Sequence, residues 1–145
     1  MGTTEYTEST ESAFHEVREP LEEWLVDGEL TGQIVQVAYD THCYFGSGYL
    51  EKVYEGALVN RLRKAGYEVQ AQAPLTVEDE DGTPVGHYAA DLLVERRVLI
   101  EVKAVRAIVP EHHAQVLNYL KTTRLQVGML INFGGQRLQV KRLVL

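Results

Sequence analysis

Val98-Leu99-Ile100-Glu101-Val102-Lys103-Ala104-Val105 reads as a strand buried on both faces, except that it carries two charges where apolar residues belong. Side chains two apart on a strand share a face, so Glu101 and Lys103 point one way and Ile100, Val102 and Ala104 the other. Burying an ion costs several kcal/mol even after relaxation. Two charges within three residues therefore mean either a paired structural element or chemistry.

The preceding run, Ala89-Ala90-Asp91-Leu92-Leu93-Val94, is apolar except for a single acid, and Glu95-Arg96-Arg97 links it to the first. This pattern predicts a hairpin. A three-residue loop sets Val94 opposite Val98 and Asp91 opposite Glu101, and cross-strand neighbours lie roughly 4.5–5.5 Å apart. Two bare carboxylates at about 4 Å repel by about 4 kcal/mol at an effective dielectric of 20, so a positive charge is expected between them. Lys103 can supply one such charge and a divalent cation two.

A chain of 145 residues with 45% hydrophobic and 24% charged residues has the composition of one ordinary globular domain. No apolar stretch approaches the roughly 18 residues of a membrane span, and the acidic start is unlike a secretory signal. A cytoplasmic protein without membrane partners is expected. The single cysteine, Cys43, has no disulfide partner and no zinc-ligand spacing, and is expected to be a buried reduced thiol.

The net charge of −7 argues against nucleic acid only until it is divided along the chain. Residues 1–30 hold nine acids and one base, whereas residues 31–145 hold twelve acids and thirteen bases. The second part is thus close to neutral and can carry local basic patches, at Arg61/Arg63/Lys64, Arg96/Arg97 and Lys141/Arg142.

Residues 1–28 read as an acidic extension and residues 29–145 as the folded domain. Residues 1–12, rich in Thr, Glu and Ser, are expected to lack stable structure. A short helix is predicted over residues 20–27, with Pro20 in its first turn, Gly28 as its stop and Leu21, Trp24 and Leu25 as an apolar stripe suited to the core or to a second subunit. Helices follow over residues 31–45 and 49–65, then strands over 67–72, 75–78, 85–94 and 98–105. A third major helix begins at Val109-Pro110 and runs to about residue 123, ahead of strands over 127–133 and 138–145. This order predicts an α/β fold, a mixed central sheet flanked by helices.

Gly48-Tyr49-Leu50-Glu51-Lys52-Val53-Tyr54 spells G-x-x-E-x-x-Y at the head of the second helix, with Glu51 and Tyr54 three apart and so neighbours on its surface. On the third helix His112, Gln115 and Tyr119 form a polar stripe beside Val116, Leu117 and Leu120. Taken alone, Glu51 is a helix-stabilising acid near the positive end of a dipole and the stripe an ordinary exposed face.

Together these elements resemble the GxxExxY family, assigned to the PD-(D/E)XK nuclease superfamily and closest to its RecB-like exonuclease branch. The resemblance covers residues 30 to 143. It rests on Ile34 and His42 ahead of Gly46 and Gly48, on Gly48/Glu51/Tyr54, on Asp91-Leu92-Leu93-Val94-Glu95 and on Ile100-Glu101-Val102-Lys103-Ala104. Further along, Gln115-Val116-Leu117-Asn118-Tyr119-Leu120 and Gly128-Met129-Leu130-Ile131-Asn132-Phe133-Gly134 extend it. Each piece is weak alone, but all of them in this order are specific.

The resemblance implies a restriction-endonuclease-like α-β-β-β-α-β core and hydrolysis of phosphodiester bonds in nucleic acid, with DNA the expected partner. It implies Mg²⁺ or Mn²⁺ bound by Asp91 and Glu101, with the Val102 carbonyl completing the shell and Glu51 as a further ligand or an orienter of water. Lys103 would position the attacking water or stabilise the phosphate, and Gln115 and Tyr119 would support the site or contact the nucleic-acid backbone. Tyr54, His42 and His112 are expected near it in supporting, packed or hydrogen-bonded roles.

Two other readings stand beside the nuclease. One is a non-catalytic nucleic-acid-binding or assembly module that keeps the nuclease fold and works with a protein partner or as a homodimer. The other is an unrelated α/β protein in which Glu101 and Lys103 form a structural ion pair.

Overall fold

A computed structural model of the chain describes residues 2–7 and 26–145. In chain order the elements are β1 (Gly2–Thr7), α1 (Gly28–Phe45), α2 (Glu51–Lys64), β2 (Val69–Glu78), β3 (Pro84–Val94), β4 (Val98–Lys103), α3 (Pro110–Thr123), β5 (Val127–Asn132) and β6 (Gln139–Val144). The strands form one sheet in the order β1-β6-β5-β4-β3-β2. Only β4 and β5 are parallel; every other neighbouring pair is antiparallel. A parallel step needs a crossover, and α3 supplies it.

Alternation along the strands sorts the core into two layers. Ile34 and Ala38 of α1 and Tyr54, Leu58 and Leu62 of α2 pack on Leu92, Ile100, Val102, Met129 and Ile131. On the other face Val116, Tyr119 and Leu120 of α3 pack on Leu99, Leu130 and Leu143. Leu99 thus shares its face of β4 with Glu101 and Lys103, so both charges lie on the α3 side. Helices cover both faces of β5, which is why that strand is buried from end to end. Among the described residues no helix is long and apolar enough to cross a membrane.

The architecture is the α/β mixed sheet that the sequence predicts, with informative departures. The Thr- and Glu-containing start of the chain, expected to lack structure, supplies edge strand β1, paired with β6 from Gly2↔Val144 to Thr7↔Gln139. Main-chain pairing needs no apolar pattern, so composition does not reveal it. Gly28, read from the sequence as a helix stop, opens α1, where the Thr31 N–H bonds the Asp27 carbonyl at 2.9 Å. The helix predicted over residues 20–27 falls mostly on residues 20–25, which lie outside the described residues, as does the Leu21/Trp24/Leu25 stripe.

The two strands predicted around Ala73-Pro74 are one, β2. Because β2 is an edge strand, Pro74 interrupts nothing by lacking an N–H. Cys43 is exposed rather than buried. Ile34, Ala38, Thr41 and His42 take the inward positions of α1 and leave Cys43 on the outer side.

The chain is pinned where it leaves β4. The Phe133 N–H donates to the Lys103 carbonyl at 2.8 Å. Buried Asn132 accepts from the N–H groups of Val105 and Gly134 through Oδ1, both at 3.0 Å, and donates from Nδ2 to the Val105 carbonyl at 2.9 Å. Gly134 fits because it has no side chain: a Cβ there would lie 2.2 Å from the Val105 oxygen. Gly134→Ala is therefore expected to destabilise the protein by at least about 2 kcal/mol in urea unfolding, through a clash with backbone that cannot rotate away. A variant within 0.5 kcal/mol of wild type, about the noise of a surface change, would contradict this packing.

Candidate active site at a split between two strands

Glu95 and Arg96 take left-handed backbone conformations, at φ 52° and 56°, and turn the chain between β3 and β4. The register is Val94↔Val98, Leu93↔Leu99, Leu92↔Ile100, as a three-residue loop requires. One step further Asp91 would pair with Glu101, and there the ladder stops. Instead the Asp91 N–H donates to Glu101 Oε1 at 3.1 Å, and the Val102 N–H donates to Asp91 Oδ2 at 2.8 Å. Each acid thus takes a main-chain donor from the opposite strand, keeping those donors satisfied while the strands part. Since N–H and C=O of one strand residue point to the same edge, the Val102 carbonyl also faces the split, while that of Lys103 faces β5.

Glu101 is only 3% exposed. Burial pushes its carboxyl up to about 8, and the charge of Asp91 adds to this; the Asp91 N–H and the Lys103 ammonium pull it down. At neutral pH the pair therefore holds on to a proton. A buried carboxyl beside a second acid behaves in this way.

Lys103 makes no ion pair with either acid among the described residues. Its Nζ donates to Gln115 Oε1 at 3.2 Å, and Gln115 Nε2 donates to the Tyr119 hydroxyl at 3.2 Å. Burial raises the Tyr119 hydroxyl, the Gln115 bond opposes this, and the negative fields of Glu101 and Asp91 add to it. The Glu101–Lys103 structural ion pair is thus replaced by a relay from β4 to α3. His112 stands outside the relay: its Nδ1 accepts from the Val109 N–H at 3.2 Å and closes the start of α3.

A third acid, Glu55 of α2, is linked to the split through Gln72. Gln72, at φ 51° and missing from the β2–β3 ladder, donates from Nε2 to Glu55 Oε1 at 2.6 Å and to Asp91 Oδ1 at 3.4 Å. Burial and the Asp91 charge raise the Glu55 carboxyl, against the Gln72 bond. Glu51, the acid singled out from the sequence, is half-buried at the first residue of α2 and makes no hydrogen bond to the pair among the described residues. Glu55 lies one turn further on the same face, and that i,i+4 spacing was the available signal. Among the described residues no three His, Cys, Asp or Glu side chains are grouped to hold an ion.

Tyr54 and His42 are held by packing and hydrogen bonds. The Tyr54 hydroxyl donates to the Gly46 carbonyl at 2.6 Å and accepts from the Tyr49 N–H at 3.2 Å, while its ring stacks on Phe133 at 4.6 Å. It fixes the loop that leads into α2. Buried His42 bonds the Gly135 carbonyl at 2.9 Å.

Most of the basic patches seen in the sequence are engaged elsewhere. Arg96 pairs with Glu68 and Arg97 with Asp27, Arg61 lies over the Tyr44 ring, and Arg142 is fully buried and donates to the Val26 carbonyl. Lys52, Arg63 and Lys64 line a groove of about 680 Å³ that also contains Glu55 and Gln72.

The donor chemistry of the split suits a hard divalent cation. Mg²⁺ is held by one or two carboxylates and keeps several waters, so it needs no third acid. A buried carboxyl whose ionisation is opposed by its surroundings and by a neighbouring acid gains from such an ion.

A mixed sheet with helices on both faces, an acid on one strand and Glu-x-Lys on its neighbour define a class of α/β proteins built around paired acids and a lysine. The chain belongs to the PD-(D/E)XK nuclease superfamily, whose family model matches residues 28–143. A crystal structure of SSO0001 shares the fold with a TM-score of 0.51 at 15% identity, over 85% of this chain. The chain spans 62% of the length of that protein. No curated protein matches the sequence.

Proposed function

We propose that the chain is a metal-dependent nuclease of the GxxExxY kind within the RecB-like branch, acting in the cytoplasm on nucleic acid, DNA first. Its nuclease-like domain spans residues 29–145, with residues 1–28 an extension. The observation that carries this reading is the exchange of main-chain bonds by Asp91 and Glu101 across the split strands, with Lys103 held two residues on. In this reading Asp91, Glu101 and the Val102 carbonyl hold Mg²⁺ or Mn²⁺, and Glu51 is a further ligand or an orienter of water. Bound there, the ion supplies Lewis-acid activation for phosphodiester hydrolysis.

The chain's own groups do the rest. Lys103, aimed by Gln115, donates to a non-bridging phosphate oxygen as charge grows on it, and Tyr119 fixes the Gln115 amide. Glu55, through Gln72, holds the orientation of Asp91. Lys52, Arg63 and Lys64 supply phosphate attraction, which makes binding weaken with salt.

The test is cleavage of plasmid and of single-stranded DNA in Mg²⁺, Mn²⁺ or EDTA. Wild type is expected to cleave only with metal, and Asp91→Ala to fall by at least about 100-fold. Equal cleavage by Asp91→Ala would assign the activity to another site or a contaminant. Metal binding and DNA binding without cleavage would favour the non-catalytic module.

A further inference from the structure

On the α3 side, a groove of about 560 Å³ opens beside the candidate site, lined by Val77 of β2, Tyr88 of β3 and Glu111, Gln115, Asn118 and Tyr119 of α3. Gln115, which accepts from Lys103, and Tyr119, which accepts from Gln115, both line it, so this groove borders the relay. Its described lining contains no lysine or arginine, and one acid. That rules it a poor phosphate cradle, in contrast to the Lys52/Arg63/Lys64 groove by α2.

It does suit a nucleobase. Tyr88 is 55% exposed, its ring 6.0 Å from that of Tyr119 and tilted 47° to it. Gly86 leaves the space that the ring occupies, since a Cβ there would lie 3.2 Å from Tyr88 Cε2. A large aromatic held by its neighbours yet left open to water gains by stacking with a second flat ring. Asn118 and Glu111 offer an amide and a carboxylate to the polar edge of a base, which phosphate cannot use.

Resting on the nuclease reading, we infer that this groove takes an unpaired nucleobase stacked on Tyr88, next to the phosphodiester presented to Lys103. The substrate is then single-stranded where it is cut. A base inside a duplex is stacked on both faces and paired at its edge, and must be flipped out at a cost before it can enter.

The test is fluorescence anisotropy in EDTA, where no cleavage occurs, with a fluorescein-labelled DNA strand and with the same strand annealed to its complement. The single strand is expected to bind wild type more tightly than the duplex. Tyr88→Ala is expected to weaken single-strand binding about 5- to 100-fold, the loss of one stacked base, while Tyr88→Phe stays within about 2-fold. Because Tyr88 is exposed, thermal melting of both variants should match wild type. The inference is overturned if Tyr88→Ala binds as wild type does, if Tyr88→Leu binds as well as Tyr88→Phe, or if the duplex binds as tightly as the single strand. Failure here with metal-dependent cleavage intact rejects the base groove alone. Tyr88-dependent binding without any cleavage rejects the hydrolytic chemistry and leaves the groove standing.

Discussion

Glu101→Gln is expected to yield a protein more stable than wild type at neutral and alkaline pH, and one that no longer cleaves nucleic acid. In the folded protein the Glu101 carboxyl is raised to about 8 by burial and by Asp91. In the unfolded chain a glutamate ionises near its ordinary value of about 4.3. As pH rises between these values the unfolded state releases a proton that the folded state keeps, so wild-type stability falls across that window and levels off above it. Glutamine has no such proton to lose, and its side-chain oxygen can still accept from the Asp91 N–H. The advantage of the variant should therefore be small near about pH 5 and reach on the order of a few kcal/mol near about pH 8. Urea unfolding without metal at several pH values measures it. A variant less stable than wild type at the alkaline end would contradict burial and the Asp91 charge as the causes of the raised Glu101 carboxyl. The same change removes one of two carboxylates from the proposed ion site, so cleavage should fall by about 100-fold or more.

Lys103→Met should show the same division between stability and function from the other side of the site. The ammonium makes no ion pair with either acid, and its hydrogen bond is to the neutral Gln115 amide. Replacing it with a flexible apolar side chain of similar length removes a half-buried charge without orphaning an opposite charge, so stability should change by less than about 1 kcal/mol. Cleavage should fall by about 100- to 1,000-fold, the usual cost of removing a group that meets charge developing on the transition state. Full activity in Lys103→Met would place the chemistry elsewhere. A loss of several kcal/mol in stability would instead make Lys103 a structural residue.

The decisive part of the fold was legible because a hairpin loop and a period of two are strong constraints. Once Glu95-Arg96-Arg97 is a three-residue turn, Val94 must face Val98, and counting back brings Asp91 level with Glu101. What counting cannot show is that the ladder ends there and that each acid takes the other strand's amide. That depends on the strands separating in three dimensions. Glu55 was hidden for a related reason. Glu51 and Glu55 share one helix face, and which of them reaches Asp91 depends on how α2 sits over the sheet and on Gln72 adopting a left-handed conformation. Arg142 gives a third case: charge counting treats it as part of a basic patch, whereas its strand buries it completely.

Stability, pH dependence and chemistry all lead back to one claim, that Asp91 and Glu101 form a site for a divalent cation. Calorimetric titration of the whole chain with Mn²⁺ tests it most directly. Saturable binding is expected in wild type, tighter near about pH 8 than near about pH 6 because the Glu101 proton must leave, and lost in Asp91→Asn. No binding by wild type at millimolar Mn²⁺ near about pH 8, or undiminished binding by Asp91→Asn, would contradict it.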